Sequence, residues 1–419
     1  MHHHLRAGIK ACFGRDVGFQ DLTPWVKRAL ARAIVGALCA APHWARPALA
    51  RMVPGQFAQF GPPRRWARND SFARRTGADW RVLKPAELVS LPAPDIEGPI
   101  SPTFFMDRTD VLPPQGVLVL EDAWVAGTRG VIARDGCYLP DCGYFSQNVG
   151  KGLLFERGYA ERSTRLEGTT LSLATDWADT NFYHLLVDAV PRLHLFEAAG
   201  FRLDEVDRVY IPSLDSAPAR AVWARLGLPS DKVVFTRDHP VVWCRRLIAT
   251  TFPGAPNQPT GWAVRFLRER LGAGTVGKRR IYVSRRGAAR DLTNADAIER
   301  LVQRLGFEVR VPGQAAGDLD VFAEAQIIVG PHGAGLGNAL LMPAGGVLID
   351  LLPPSFQTRC HFSWSSLAGV RYTALVGRDD PAHRGVPPMR RPFSVDPERL
   401  ERLLARVGQQ RPVGSSKVG

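Results

Sequence analysis

The sequence is short of cysteine and of acidic residues, and both shortages limit what the protein is. Its 419 residues include six cysteines, too few for a disulfide framework in a chain of this length, and no C-x-x-C pair points to a zinc site. We therefore expect reduced thiols in a cytoplasmic protein. The sequence has only 40 Asp and Glu residues but 54 Lys and Arg residues, so the net charge is +14. This excess favours acidic or phosphate-bearing partners.

Long hydrophobic runs are also missing. The most apolar early stretch, residues 29–41, is interrupted by Arg32 and is shorter than the roughly 20 residues that span a bilayer. No continuous apolar segment typical of a secretory signal follows His2 to His4. The sequence therefore predicts no membrane-spanning helix.

The positive charge is concentrated near the N-terminus. Residues 1–90 hold 15 Lys and Arg against 5 Asp and Glu, whereas the rest of the chain holds 39 against 35. Residues 22–53 read as one or two helices that either pack on the protein or lie on an anionic membrane. Residues 54–75 are rich in Pro, Gly and Arg and read as a connector or as a stripe facing phosphate or lipid. We treat residues 1–90 as a basic, partly helical N-terminal extension.

The rest of the sequence alternates strand-like and helix-like segments, which predicts an α/β fold. Residues 91–255 form the first α/β domain, and the Pro- and Gly-rich residues 252–261 read as the linker. Residues 256–376 repeat β-α-β-α-β-α-β, a Rossmann-like pattern whose ligand should lie at the carboxyl ends of the strands. Residues 377–419 form a basic, Pro-rich tail with a short helix near residues 397–407.

The strongest local signal is the segment IIVGPHGAGLGN at residues 327–338. A buried strand ends in a glycine-rich turn, and a helix follows. Glycines allow close approach of a ligand, and a helix N-terminus presents unpaired N–H groups, so the turn suits a diphosphate. His332 is placed to donate to a phosphate or sugar oxygen. The alternative is tight strand–helix packing, with His332 as a capping residue.

Two further segments carry charged side chains. Arg285 ends a predicted strand on the same side of the sheet as the glycine turn, and its planar fork suits phosphate oxygens. The alternative for Arg285 is a solvated cluster of arginines, and Arg286 is expected at the surface. Asp318-Leu-Asp320 resembles a metal-binding D-x-D motif, but it falls at a helix start, where carboxylates cap free N–H groups. We expect a cap there and no metal.

A histidine and an aspartate lie four residues apart in the segment NFYHLLVD, which begins at residue 181. On a helix, His184 and Asp188 share one face. Such a pair can remove a proton from a hydroxyl group. The sequence favours Asp188 as the base and His184 as its partner or as a contact to the acceptor, and the reverse assignment stays open.

Together these segments resemble the family 61 glycosyltransferases, often described as a capsular polysaccharide biosynthesis domain. The matching blocks are N-x-x-H-x-x-x-D-x-x-P-R at residues 181–192, S-R…R-x-x-x-N at residues 284–294 and G-P-H-G-A-G-L-x-N at residues 330–338, followed by Asp350. The resemblance implies a catalytic pair, Asp188 and His184. It also implies a set of donor-binding residues: Ser284, Arg285, Arg290, Asn294, His332, Gly333, Ala334, Gly335, Asn338 and Asp350.

The resemblance further implies a GT-B-like architecture, with two Rossmann-like domains facing a cleft. The expected activity is inverting transfer of a sugar from a nucleotide-sugar donor to a glycan or lipid-linked glycan acceptor in surface polysaccharide synthesis. Neither a cofactor nor an obligatory metal is expected, and nucleic acid is not an expected partner. The expected location is the cytoplasm, with peripheral contact to the inner face of an anionic membrane. The alternative is a non-catalytic nucleotide- or glycan-binding assembly protein that retains the fold.

Overall fold

In the computed structural model, the structure describes residues 65–105, 111–126, 130–135, 137–143, 164–313 and 318–409. The strands are, in chain order, β1 (Arg65–Trp66), β2 (Asp79–Lys84), β3 (Glu87–Leu88), β4 (Asp95–Glu97), β5 (Val111–Leu112), β6 (Gln115–Ala126), β7 (Val131–Arg134), β8 (Cys137–Tyr138), β9 (Thr164–Ser172), β10 (Arg208–Ile211), β11 (Val233–Phe235), β12 (Val241–Thr250), β13 (Gly254–Ala255), β14 (Gln258–Pro259), β15 (Arg279–Val283), β16 (Glu308–Arg310), β17 (Ala325–Pro331), β18 (Val347–Leu352), β19 (Arg371–Val376), β20 (Arg378–Asp379) and β21 (Phe393–Ser394).

The α-helices of these ranges are α1 (Asn69–Thr76), α2 (Phe182–His184), α3 (Arg192–Ala198), α4 (Ala217–Arg225), α5 (Gly261–Leu271), α6 (Ala295–Arg304), α7 (Asp318–Ala323), α8 (Cys360–Ala368) and α9 (Pro397–Gln409). A π-helical turn, Leu185–Ala189, follows α2 directly. A 3₁₀ helix, Ala334–Leu341, follows the glycine turn. No helix within these ranges has both the length and the apolar character needed to cross a bilayer.

The first sheet is mixed and has nine strands in the order β1-β8-β7-β6-β12-β9-β10-β11, with β2 paired to β6. Strands β12, β9, β10 and β11 run parallel, whereas β12 and β6 are antiparallel. The sequence predicted a layered α/β domain with parallel strands here. The parallel part is confirmed, and the long antiparallel strand β6 was not predicted.

The second sheet is wholly parallel, in the order β16-β15-β17-β18-β19-β4. Its central strand β18 has six consecutive buried residues, because helices cover both faces of a parallel sheet. The predicted β-α-β-α-β-α-β order of this region is confirmed. Strand β4 was not expected here, because it comes from residues 95–97, far upstream in the chain.

One apolar core joins the two sheets. Leu171 and Ile248 of the first sheet belong to the same buried cluster as Ile328 and Leu348 of the second. Helix α5 lies between the sheets, and the indole Nε1 of Trp262 at its start donates to Gln115 of β6 at 2.7 Å. The fold is thus an α/β structure with two main sheets held in one packed body.

The segment at residues 252–261, predicted as a linker, is ordered and largely buried. It forms the short hairpin of β13 and β14, and Thr260 then caps α5 by accepting from the amide of Ala263 at 3.3 Å. The helices predicted over residues 22–53, and most of the connector at residues 54–75, lie outside the described residues. Helix α1 occupies the end of that connector.

Candidate active site

The glycine turn lies at the carboxyl edge of the second sheet, as the sequence predicts. In the register of β17 and β18, Gly330 stands opposite Asp350, so the turn and that carboxylate share one edge. Strand β15 ends beside them at Val283, and Ser284 and Arg285 follow. Parallel strands present their carboxyl ends on one side, and there the side chains of three loops converge.

Arg285 lies directly on Gly333. A Cβ atom on Gly333 would stand 1.5 Å from Nη1 of Arg285, so any larger residue would displace the guanidinium group from this position. Nε and Nη2 of Arg285 donate to the carbonyl of Ala289 at 3.1 and 2.5 Å. Nη1 takes part in none of the hydrogen bonds of the described residues. Burial lowers the pKa of this guanidinium to about 10, so it stays charged at neutral pH.

The helix after the turn is a 3₁₀ helix rather than the predicted α-helix. The amides of Ala334 and Gly335 open it, so no preceding helical carbonyl pairs with them. Gly330 and Gly335 are required for packing, because a Cβ atom would stand 2.6 Å from the Val283 carbonyl at Gly330 and 2.7 Å from a Pro312 carbon at Gly335. Tight packing of the strand against the following helix therefore explains Gly330 and Gly335. At Gly333, by contrast, the neighbour is the guanidinium group of Arg285.

His332 does not point to a ligand as expected, and this corrects the prediction. The ring is buried, with Nδ1 2.9 Å from Asp350 and Nε2 3.0 Å from the hydroxyl of Thr358. Burial lowers the pKa of His332, but the negative charge of Asp350 outweighs it and raises the pKa to about 9. At neutral pH the ring is a buried imidazolium that donates from both nitrogens.

Asp350 is likewise part of this buried network rather than a wall of an open pocket. It is fully buried, and the hydroxyl of Tyr372 donates at 3.1 Å to Oδ2, the same oxygen that lies 2.9 Å from Nδ1 of His332. Burial raises the pKa of Asp350, but the charge of His332 outweighs it and lowers the pKa below the ordinary range. The pair therefore links the end of β17 to β18.

Arg290 fastens three segments around the turn. Its backbone is left-handed, with a φ of 61°, which non-glycine residues seldom adopt. Nε donates to the carbonyl of His332 at 3.2 Å, Nη1 donates to the carbonyl of Met389, and the guanidinium lies 5.0 Å from the ring centre of Phe356. Burial lowers its pKa. Arg290 therefore orders the turn and adds positive charge beneath it.

Three other predicted donor-binding residues have local structural partners, which corrects the prediction for them. Ser284 donates to Glu299 at 2.8 Å, on the side of the sheet covered by α6. Asn294 pairs with both backbone groups of Val395 and so fastens the C-terminal segment. The Nδ2 group of Asn338 donates to the carbonyl of Gly335 at 3.1 Å inside its own 3₁₀ helix, whereas its buried Oδ1 has no hydrogen-bond partner among the described residues. Ser284 and Asn294 bond to the protein because the loops that carry them turn back onto the fold.

Arg286 is at the surface, as predicted. Its guanidinium is half exposed and forms ion pairs with Asp296 and Glu299 on α6. These carboxylates raise its pKa. Arg286 therefore stabilises the contact between the loop and α6 and leaves Arg285 as the cation facing the turn.

His184 and Asp188 share one face, which confirms the geometric part of the prediction. Nδ1 of His184 lies 2.7 Å from a carboxylate oxygen of Asp188, across the start of the π-helical turn. Asp188 is more deeply buried than His184, with side-chain exposures of 7% and 14%. Burial raises the pKa of Asp188, and the hydrogen bond from His184 opposes that shift. The arrangement is a buried carboxylate that orients a less buried imidazole.

Arg192 supports this pair from beneath. The side chain is buried, and its guanidinium donates to the carbonyls of Asp188, Thr250 and Cys142 at 2.8 to 3.1 Å. Burial lowers the pKa of Arg192 to about 10. The Pro-Arg end of the first sequence block thus fixes the backbone of the helical segment against the first sheet.

The His184–Asp188 segment and the glycine turn are in contact. Tyr183 packs against Gly337 of the 3₁₀ helix, where a Cβ atom would stand 3.4 Å from a ring carbon of Tyr183. Its ring centre also lies 5.3 Å from that of His184 and 5.6 Å from that of His361. Side chains from both sheets thus meet at one place.

A group of possible metal ligands lies below the turn, but its atoms are already engaged. His332, Cys360 and His361 bring their ligand atoms within 4.8 Å of one another. Both ring nitrogens of His332 and of His361 take part in hydrogen bonds to protein groups. At the predicted D-x-D position, α7 begins at Asp318 as expected, and Asp320 pairs with Arg225 of α4. These residues therefore suit a packed network better than a metal site.

Sequence reasoning missed helix α8 and the side chains it brings beneath the turn. His361 of α8 accompanies Thr358 and Tyr372 in the buried network around His332 and Asp350. The signal was present as Cys360, Trp364 and Ala368, spaced four residues apart. It is weak, because the helix is buried almost all round and lacks a polar face.

One protein-family model matches the part of the chain that forms this site. The sequence model described as "Glycosyltransferase 61" matches residues 182–349. Residues 182–349 of this chain are therefore similar to family 61 glycosyltransferases. The match begins at the segment of His184 and Asp188 and ends in β18, the strand of Asp350. The matched range therefore includes segments of both sheets that meet at the glycine turn.

Two curated plant proteins are similar to parts of this chain. A beta-1,2-xylosyltransferase of Oryza sativa subsp. japonica is 32% identical over 78 residues, which are 18% of this chain and 14% of that protein. An alpha-1,3-arabinosyltransferase of the same organism is 32% identical over 113 residues, 25% of this chain and 20% of that protein. The matched segments thus span a small part of each relative.

Proposed function

We propose that the protein transfers a sugar, with inversion, from a nucleotide-sugar donor to a glycan acceptor, and that the two sheets form a GT-B-like pair around the site. One observation carries the proposal. The glycine turn with Arg285, from the second sheet, and the His184–Asp188 pair, from the first, meet through Tyr183. A cation and amide donors on one side of a site and a proton acceptor on the other are what displacement of a diphosphate by a hydroxyl requires.

The donor diphosphate would lie on the glycine turn. The amides of Ala334 and Gly335 and Nη1 of Arg285 are the donors offered there, and Arg290 adds charge beneath them. These groups would stabilise the negative charge that develops on the departing diphosphate. Because fixed arginines provide that positive charge, we propose a reaction without an obligatory metal ion.

The acceptor hydroxyl would lose its proton to the His184–Asp188 pair. The geometry of this pair favours the imidazole as the base, because Asp188 is the more buried group and lies against Nδ1 of His184, so that a substrate proton would go to Nε2. A buried carboxylate on Nδ1 fixes the tautomer and stabilises the imidazolium that forms. We therefore reverse the expected roles and propose His184 as the base and Asp188 as its orienting partner.

A groove on the first sheet would take the acceptor. It has a volume of about 630 Å³ and lies between α4 and the edge strand β11, at the carboxyl ends of β10 and β11. The backbone amide of Ser213, which lines the groove, donates to the carboxylate of Asp179 at 2.6 Å, and Asp179 lies on the loop that leads to α2. Trp223 and Phe235 supply apolar faces that sugar rings can stack on. The groove is therefore connected to the segment that carries His184.

We propose surface polysaccharide or a related glycan as the product and the cytoplasmic side of a membrane as the location. The excess of basic residues before residue 90 supports a place next to an anionic surface. The non-catalytic alternative has no specific feature in its favour, because the His184–Asp188 pair faces the turn through Tyr183 rather than a core remote from it.

The experiment is a screen of nucleotide sugars with acceptor oligosaccharides. Turnover is measured as release of nucleoside diphosphate, and the configuration of the new anomeric centre is determined by NMR. The proposal expects turnover with at least one donor and inverted configuration in the product. A retained configuration would exclude the single-displacement mechanism. Donor binding without transfer to any glycan would favour the non-catalytic alternative.

A further inference from the structure

Helix α8 supports the glycine turn from beneath, although it lies beyond the residues that match the family. It begins at Cys360, eleven residues after the matched range ends at residue 349, and residues 360–365 are all buried. Its second residue, His361, is 1% exposed and touches the turn. The three sequence blocks at residues 181–192, 284–294 and 330–338 give no sign of this contact.

The hydrogen bonds of His361 allow one tautomer. The indole N–H of Trp364 can only donate, and it lies 3.2 Å from Nδ1, so Nδ1 carries a lone pair. The carbonyl of Gly333 can only accept, and it lies 3.1 Å from Nε2, so Nε2 carries the proton. Burial, helped by the positive charge of His332, lowers the pKa of His361 to about 3. The ring is therefore neutral with its proton on Nε2.

This hydrogen bond determines where the next amide points. The carbonyl of Gly333 accepts from His361 and from the amide of Leu336 at 3.0 Å, which holds that carbonyl towards the core. The same peptide unit carries the N–H of Ala334, and in a trans peptide the C=O and N–H point in opposite directions. The backbone of the described residues has no cis peptide. Holding the carbonyl inward thus directs the Ala334 amide outward.

His361 also contacts the other side of the site. Its ring centre lies 5.6 Å from that of Tyr183, edge to face, and 4.9 Å from that of His332. Tyr183 precedes His184 and lies on Gly337. The imidazole therefore fills the space between the glycine turn and the helical segment that carries the proposed base.

We propose that His361 is a positioning residue for the diphosphate group of a nucleotide ligand, acting through the Gly333–Ala334 peptide. The inference rests on the proposed function, since it assigns a role within the same donor site. His361 itself does not touch the ligand. It presents the Ala334 amide beside Nη1 of Arg285, where the two donors can bind phosphate oxygens together.

Two substitutions separate this role from simple packing. In His361→Asn the amide oxygen stands where Nδ1 was and still accepts from Trp364, but nothing reaches Gly333. In His361→Gln the amide nitrogen reaches the position of Nε2 and still donates to Gly333, but the partner of Trp364 is lost. Each variant removes one hydrogen bond of the same ring, so each is the control for the other.

The experiment measures the affinity of UDP, GDP, ADP, CDP and TDP for the full chain by calorimetry, together with the unfolding temperature. For the nucleotide that binds, we expect His361→Asn to lose about 10-fold in affinity and His361→Gln to stay within about 3-fold of the wild type, while both lose thermal stability. A role in packing alone predicts affinity losses that follow the stability losses. Equal affinities of the two variants would overturn the proposal and leave the proposed function intact. Failure of the wild type to bind any of the five would overturn both.

A measurement on the wild type keeps the proposal open to contradiction if both variants unfold. ¹⁵N NMR of labelled histidine should show His361 protonated on Nε2 alone, with no titration between pH 5 and 8, when its signal is assigned with a His361-specific label. A ring that carries its proton on Nδ1, or that titrates in this range, cannot hold the Gly333 carbonyl in the way proposed.

Discussion

At the scale of single residues, the guanidinium group of Arg285 lies directly on Gly333 in the proposed donor site. Gly333 has an extended backbone, with a φ of 171°, so its conformation does not require glycine. The requirement comes from the guanidinium group that lies on it. Sequence reasoning identified both residues, but it attributed the glycine to the approach of a ligand. The contact between them arises from two loops that are far apart in sequence and cannot be read from either loop alone.

Gly333→Ala should displace Arg285 without straining the backbone. The new Cβ atom would stand 1.5 Å from Nη1 and 2.4 Å from Cζ, so the guanidinium must leave its place. Loss of a charge-assisted hydrogen bond costs about 1.5–3 kcal/mol, so we expect nucleoside diphosphate affinity to fall roughly 10- to 100-fold in calorimetry. Gly337→Ala is the matched control, because its nearest neighbour would stand at an ordinary 3.4 Å. Equal effects of the two substitutions would refute this role of Gly333.

The His332–Asp350 pair predicts a loss of stability at alkaline pH. The folded-state pKa of His332 is about 9, above the unfolded value of about 6.5. Its contribution to the free energy of unfolding, up to about 3 kcal/mol, is therefore complete below pH 6.5 and is lost as the pH rises through 9. In urea unfolding, the free energy of unfolding of the wild type should exceed that of Asp350→Asn by a larger amount at pH 7 than at pH 10. An unchanged difference would show that the pair is not ionic.

At the scale of helices and strands, local signals predicted the boundaries well where the cap residues are explicit. Helix α5 runs from Gly261 to Leu271, because Thr260 caps its start and Gly272, with a φ of 79°, ends it. The π-helical turn and the 3₁₀ helix were not predictable in the same way. The amide of Val190 bonds to the carbonyl of Leu185, five residues earlier, only in the context of the packed segment.

Asn294 illustrates how a residue in a family-like block can have a structural role. Its side chain donates to the Val395 carbonyl at 2.7 Å and accepts from the Val395 amide at 3.2 Å. Asn294→Ala should therefore lower the free energy of unfolding by about 1–3 kcal/mol and leave nucleotide affinity within twofold. Urea unfolding and calorimetry measure the two quantities. Ser394→Ala, which removes a weak exposed contact, serves as a control with an expected change below about 0.5 kcal/mol. A large loss of affinity in Asn294→Ala would return this residue to the donor site.

At the scale of the whole molecule, the two sheets and the helix between them share one apolar core, and the site lies where they meet. The alternating pattern of the sequence was enough to predict two α/β units. It was not enough to predict that β4, from residues 95–97, completes the second sheet, because a three-residue strand carries almost no periodic signal. Contacts between distant segments are decided by tertiary packing, which a local pattern does not contain.

The basic N-terminal region makes a prediction for the complete chain. If residues 22–75 bind an anionic membrane, each well-placed Lys or Arg adds about 1 kcal/mol, and salt weakens the binding. The full chain should float with phosphatidylglycerol vesicles at low salt, stay unbound with phosphatidylcholine vesicles, and lose flotation when residues 22–64 are deleted. Absence of flotation with phosphatidylglycerol at low salt would refute the membrane proposal.

The central claim is that the His184–Asp188 pair removes the proton from an acceptor hydroxyl while the glycine turn holds the nucleotide. The most direct measurement compares sugar transfer and nucleotide affinity in His184→Gln, in Asp188→Asn and in the wild type, with the donor that supports turnover. Loss of a general base costs about 10²- to 10⁴-fold in rate. We predict that both variants lose turnover in this range and keep nucleotide affinity within about threefold. Transfer at the wild-type rate by His184→Gln would contradict the account, because the base would then lie elsewhere.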